Sequence, residues 1–394
     1  MADVIRDYGA AYLKRYRPSR EQWRVLNAVV QCRTAALGAH LMRCERCAHE
    51  VVVYNSCRNR HCPKCQGAAR ADWLEQREQE LLDVEYFHVV FTLPSELAPL
   101  ALQNRRAVYG MLFRAASETL LTIARDPKHL GAEIGCMAVL HTWGQNLHAH
   151  PHLHCIVPGG GIGFDGEQWV SCRDGFFLPV RVLSRLFRGK FTAQLQRAWE
   201  QQQLAFHGSL RDLEHPPCWE AWLQPLRDKD WVVYAKPPFG GPQQVLKYLA
   251  RYTHRVAISN HRLVSVEDGK VAFRWKDYAH GNRQRTMSLD AVEFLRRFLL
   301  HVLPKGFMRI RYYGFLANRH RAEKLARARK LLHGAEPSSV IDDGAELKQA
   351  DGTLLQKAEE LELCPECKLG RLLVVLRVGA PLHRAIEPWS FDSS

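Results

Sequence analysis

His148-Ala149-His150-Pro151-His152-Leu153-His154-Cys155-Ile156-Val157-Pro158 is the stretch on which the fold turns. Alternate side chains of a strand share a face, so His152 and His154 project together while Leu153 packs into a core. Pro158 and the glycines at 159–161 stop this arm, and the apolar run from Ile134 to Trp143 supplies its antiparallel partner. Two imidazoles side by side on a sheet can hold one divalent ion. A third ligand should come from the neighbouring strand or the turn: Gln145 and His141 lie on the preceding arm, His148 and His150 in the turn. A surface histidine tract without a role is the alternative, against which stand four histidines at alternate positions.

Outward from this hairpin, Tyr86-Phe87-His88-Val89-Val90-Phe91-Thr92-Leu93 reads as another strand, stopped by Pro94, and Trp231 to Ala235 as a further one. Asp268-Gly269 marks a second hairpin. Helical spacing of apolar residues covers the first 43 residues, where Ser19 and Gln22 form a capping-box pair. Helices are also expected over about 68–83, 100–125, much of 180–225, from Gln243 onward and over 290–302, and the polar, acidic stretch 334–360 reads as a linker. The expected class is α+β with a central antiparallel sheet. Three domains are expected: 1–83, helical and zinc-binding; 84–302, around the sheet; and 303–394, a basic segment with a C-terminal tail.

The 394 residues are 46% hydrophobic and 24% charged, which excludes a disordered chain. Lys and Arg number 55 against 41 Asp and Glu, a net charge of +14 that favours a polyanionic partner, most often nucleic acid. No stretch approaches the ~20 apolar residues of a membrane helix. The opening MADVIRDYGAAYLKRY lacks a signal core, so a cytoplasmic location is expected, at the nucleoid if the partner is DNA.

Five of the twelve cysteines fall between Cys44 and Cys65. Cys44-x-x-Cys47 and Cys62-x-x-Cys65 are two knuckles, each able to occupy adjacent corners of a Zn²⁺ tetrahedron. Cys44, Cys47, Cys62 and Cys65 are therefore the simplest ligand set for one structural zinc, with Cys57 and His61 as spare donors. Cys364-x-x-Cys367 resembles half of another site, its partners not evident from the sequence.

Tyr248 and Tyr252 stand at i and i+4 of a helix that also carries Lys247, Arg251 and Arg255, charges suited to phosphate. An aromatic stripe against the core is the ordinary reading of such a pair. Beside a histidine-held cation in a basic protein, it suggests instead phosphodiester transesterification through a covalent phosphotyrosine. From Lys305 to Lys330 nine Lys/Arg face one acid, and Phe307-Met-Arg309-Ile-Arg311-Tyr312-Tyr313 has the composition of a single-strand binding groove. A solvated basic helix accounts equally well for 319–330.

Three features in this order, Phe87 to Pro94, His152-Leu153-His154 and Tyr248-x-x-x-Tyr252, carry a resemblance. The chain resembles the two-tyrosine rolling-circle transposases of bacterial insertion sequences, the insertion sequence 91 family, His-hydrophobic-His endonucleases related in fold to replication initiators. The resemblance extends through Asn55 to Gln66, Leu140 to Gln145, Tyr248 to Asn260, Trp275 to Tyr278 and Tyr313 to Asn318. It implies Mg²⁺ or Mn²⁺ held by His152 and His154, with Gln145 best placed to complete the site. It also implies Tyr248 and Tyr252 as nucleophiles on single-stranded element ends and target, giving a 5′-phosphotyrosine and a free 3′-OH. No Gly-x-x-x-x-Gly-Lys-Ser/Thr loop is present, so no nucleotide cofactor is expected. A replication initiator of the same chemistry, or a zinc-dependent DNA-binding regulator without catalysis, are the other readings of these features.

Overall fold

The computed structural model describes residues 1–65, 73, 77–175, 177–236, 257–277, 281, 283–333 and 363–380. The helix expected from Gln243, with Tyr248, Tyr252, Lys247, Arg251 and Arg255, lies outside the described residues, as do the linker and half of the helix expected over 68–83.

Two helices open the chain, α1 (Ala2–Arg15) and α2 (Arg20–Gln31). The Ser19 hydroxyl accepts from the Gln22 amide while the Gln22 side chain accepts from the Ser19 amide, the expected reciprocal cap. Strands β1 (Ala39–Cys44), β2 (Glu50–Tyr54) and β3 (Tyr86–Thr92) follow. Helices α3 (Ala98–Gln103) and α4 (Arg105–Arg125) precede β4 (Ala132–Glu133), β5 (Gly135–Trp143), β6 (Ala149–Pro158), β7 (Gly160–Gly163) and β8 (Trp169–Ser171). Then come α5 (Val180–Glu200), α6 (Pro216–Asp228) and β9 (Val233–Lys236). Three strands, β10 (Leu263–Glu267), β11 (Lys270–Asp277) and β12 (Arg283–Asp290), lead into α7 (Ala291–Leu300). Last are β13 (Ile310–Gly314), α8 (Arg321–His333) and β14 (Leu372–Val378). The class is α+β, as expected.

The central sheet runs β13-β5-β6-β3-β9, antiparallel throughout. One face presents Phe87, Val89, Phe91, Ala138, Leu140, Leu153 and Cys155, all buried in one core with the apolar faces of α4 and α5. Leu153 has no exposed surface, as the alternation predicts. By the same period of two, the other face carries His88 and Val90 of β3, Val139 and His141 of β5, and His152, His154 and Ile156 of β6. The helices thus fill one side and leave the histidines on the other.

A second core joins α1, α2 and α7 to the β10-β11-β12 sheet through Ile5, Leu26, Phe273, Phe294 and Phe298. Asp268 and Gly269, at φ +49° and +73°, make the turn between β10 and β11. Asp290 caps α7 by accepting from the amides of Val292 and Glu293.

Three stretches add to expectation or depart from it. Residues 39–44 form a strand rather than a helix end, because β1 is the centre of a sheet ordered β14-β1-β2. Strand β6 stops at Pro158, as expected, and the glycines that follow enter β7 in another sheet. A Cβ on Gly161 would stand 2.6 Å from the Glu133 carbonyl oxygen, so the close approach of β4 admits only glycine there. Of the described residues beyond 303, those of β13 form an edge of the central sheet, and those of β14 pair with β1.

Candidate active site

His141 and His152 face each other directly across β5 and β6, and His154 follows on the same face. The ring centroids lie 5.4 Å (His141–His152), 4.5 Å (His141–His154) and 4.9 Å (His152–His154) apart. One ring nitrogen from each comes within 4.8 Å of the others, a separation that one cation can span. The third histidine is therefore His141, one of the candidates for the open position. Gln145 sits past the end of β5, in the turn, where its backbone carbonyl accepts from Arg262.

Hydrogen bonds orient the rings. His152 Nδ1 lies 2.6 Å from the His150 carbonyl oxygen, which can only accept, so Nδ1 carries the proton and the lone pair is on Nε2. His154 Nδ1 lies 2.8 Å from His88 Nε2, their rings stacked at 5.0 Å. Burial, helped by the charge of Lys236, pushes His88 down to about 4, so it is neutral near pH 7 and able to accept from His154. In the tautomer in which His154 Nδ1 donates to His88, the lone pair of His154, too, is on Nε2. An outer hydrogen bond of this kind orients a metal-binding imidazole. His141 is stacked on Trp143 at 4.8 Å. Three imidazole nitrogens suit Zn²⁺ best, and Mn²⁺ better than Mg²⁺, which prefers oxygen.

The turn that holds these strands together is itself clamped. Three successive carbonyls, those of Gln145, Asn146 and Leu147, accept from Arg262, Arg297 and His301. Arg297 shares the Glu293 carboxylate with Arg296, and these hydrogen bonds and charges hold Glu293 down at about 2. His301 donates from Nε2 to Leu147 and accepts at Nδ1 from the Thr142 hydroxyl. Its full burial drives it down to about 4.

The cysteines do not form the single expected group. Cys44 and Cys47 are separated from Cys62 and Cys65, which meet Cys57 and Cys32 instead, with Sγ–Sγ distances of 3.4 Å (Cys32–Cys65) and 3.5 Å (Cys57–Cys65). Four sulfurs ~2.3 Å from a tetrahedral zinc lie about 3.8 Å from one another, so this cluster fits a structural zinc ion. Burial pushes the Cys62 thiol up to about 11, so a cation is needed for the four to be thiolates together. Cys57, expected only as a spare, is a full member. His61 is not: it is half-buried, and its Nε2 atom is buried without a hydrogen-bond partner among the described residues. The missed member is Cys32, just past the end of α2. It is brought in by the second core, to which Cys32, Cys62, Cys65, Trp143 and Leu147 all belong. The cluster thus braces the turn between β5 and β6.

Arg309 and Arg311, expected on DNA, are engaged within the protein. Arg311 lies over the rings of Phe113 and Phe307 at 4.2 and 5.1 Å, and Arg309 is half-buried, where desolvation, helped by the charge of Arg60, lowers it to about 10.

Two family models match the chain: "Transposase zinc-binding domain" over residues 4–93 and "Putative transposase" over residues 135–324. A protein of Sinorhizobium fredii named as a putative transposase is 56% identical over 376 residues, covering 95% of this chain and 94% of that one. The transposase for insertion sequence element IS801 of Pseudomonas savastanoi pv. phaseolicola is 29% identical over 322 residues, 78% of this chain and 73% of its own length. No solved structure matches the chain.

Proposed function

The chain belongs to the insertion sequence 91 family of transposases, and on that premise we propose that it nicks single-stranded DNA at element ends through a 5′-phosphotyrosine and transfers strands by a rolling-circle route. The observation that carries the reading is the convergence of His141, His152 and His154 on the open face of an antiparallel sheet, in a chain whose Tyr248-x-x-x-Tyr252 stands downstream. The sheet and its histidine pair support a His-hydrophobic-His endonuclease fold.

A divalent cation held by His152 and His154, with His141 or Gln145, supplies charge stabilisation at the scissile phosphate. The donor set favours Mn²⁺ over Mg²⁺. The Oη of Tyr248 or Tyr252 attacks phosphorus, and the bond from phosphorus to O3′ breaks. The phenol gives up its proton and O3′ takes one up, leaving a free 3′-OH and the 5′ end on tyrosine. Two tyrosines allow two linked cleavages. Because one phosphodiester is exchanged for another, no nucleotide hydrolysis is required. Lys247, Arg251 and Arg255 provide positive charge beside the nucleophiles, and the net charge of +14 draws the polyanion.

The test is nicking of a labelled single strand carrying an element end in Mn²⁺. His152→Ala is expected to abolish cleavage while the protein keeps its cysteine-bound zinc. Zinc loss in that variant, or cleavage at the full rate, overturns the assignment of the histidines.

A further inference from the structure

The structure brings Cys364-x-x-Cys367 against Cys44-x-x-Cys47. The Sγ atoms of Cys44 and Cys367 are 3.7 Å apart, those of Cys47 and Cys364 3.6 Å, and all four lie within 4.8 Å of one another. These are the edges of a thiolate tetrahedron around zinc, about 3.8 Å, and far from the ~2.05 Å of a disulfide.

The two knuckles share part of their backbone pattern. Cys44 N donates to the His49 carbonyl at 2.9 Å, and Ala48 N to the Cys44 carbonyl at 3.1 Å. Cys364 N donates to the Gly370 carbonyl at 2.8 Å, and Lys368 N to the Cys364 carbonyl at 2.9 Å. The residue after each second cysteine takes a left-handed conformation, Ala48 at φ +57° and Lys368 at φ +54°. Non-glycine residues adopt it rarely, so its occurrence at equivalent places marks one device built twice. Backbone amides aim at the sulfurs: Arg46 N is 3.4 Å from Cys44 Sγ, and Gly370 N is 3.3 Å from Cys367 Sγ. A Cβ on Gly370 would stand 2.4 Å from Cys44 Sγ, so glycine lets the second knuckle close on the first. Arg371 and Glu45 brace the pair: Glu45 N donates to the Arg371 carbonyl, and Arg371 N to the Glu45 carboxylate. Behind them β14 pairs with β1 from Ala39↔Val378 to Cys44↔Leu372.

We propose that Cys44, Cys47, Cys364 and Cys367 bind a second structural zinc ion, which locks the segment 363–380 onto the N-terminal module as its third strand. Cys364 and Cys367 lie outside the stretches that the family models match, so this site belongs to the whole chain rather than to the N-terminal domain alone. Eight of the twelve cysteines are then ligands of two S₄ sites, which share no residue.

The experiment counts zinc per chain in the full-length protein, purified with reductant, in a His152→Ala/His154→Ala background so that the histidines add nothing. Two ions are expected. Cys364→Ser/Cys367→Ser and Cys44→Ser/Cys47→Ser should each lose one, and all four changes together still only one. Cys57→Ser/Cys65→Ser should lose the other. Cys367→His, which keeps a ligand, should retain both. A count of one in the parent, two ions in Cys364→Ser/Cys367→Ser, or separate losses that add for the two knuckles overturns the proposal. Should the serine variants not fold, thiol alkylation of the parent decides. Protection of eight cysteines, released by a chelator, supports the site, and Cys364 and Cys367 alkylated without chelator, or found oxidised to disulfides, overturns it.

Discussion

His88 touches none of the reacting groups expected, yet its contact with Nδ1 orients the ring of His154. Outer-shell partners of this kind are worth 10–100-fold in metal affinity. His88→Ala should weaken Mn²⁺ binding within about that range, read by Mn²⁺ titration, with the cysteine-bound zinc unchanged; unaltered affinity would leave His88 a mere packing residue. His301 makes a different prediction. Its pKa is depressed when folded, so the unfolded chain binds the extra proton and stability falls as pH drops from about 6.5 towards 4. A shift of that size amounts to ~3 kcal/mol when fully expressed. The slope of unfolding free energy against pH in this window should be shallower in His301→Asn, whatever its stability at pH 7. The pairing of His152 with His154 was legible in the sequence, because a strand has a fixed period of two. That His141 joins them was one option among several. The register of β5 against β6, with its bulge between His141 and Trp143, decided it, and local spacing does not encode that register.

At the scale of elements, the hairpin of β5 and β6 serves two sides at once. Leu153 is fully buried beneath the helices while its neighbours carry the histidines above. Leu153→Ala should cost about 2–5 kcal/mol of stability by opening a cavity in that core. Denaturant unfolding measures this, and a loss below ~1 kcal/mol would mean that the sheet does not pack on α4 and α5 as described. Strong periodic segments such as β3, α4 and α7 announced themselves in sequence. Strand β1 did not: it pairs on one side with β2 and on the other with β14, more than 300 residues away. The cysteine grouping failed to be legible for the same reason. Cys44 and Cys62 look like halves of one site along the chain, and only long-range packing assigns Cys32 to one and Cys364 to the other.

For the molecule as a whole, no described helix is long and apolar enough to cross a membrane, and positive charge dominates the sequence. The cysteine clusters brace the framework, and the histidines occupy the open face of the central sheet. Chelation strong enough to strip the zinc should therefore lower the melting temperature and abolish nicking together, whereas His152→Ala should abolish nicking and leave the melting temperature within a few degrees. Equal melting temperatures before and after zinc removal would deny the clusters a structural role. The central claim, a tyrosine nucleophile, is tested most directly by incubating the protein with labelled single-stranded element end in Mn²⁺. The products are run on a denaturing gel, with and without protease. A protease-sensitive covalent adduct, absent from Tyr248→Phe/Tyr252→Phe although that variant still binds the DNA, is the predicted result. Clean nicking without an adduct, or an adduct that persists in the double variant, would contradict it.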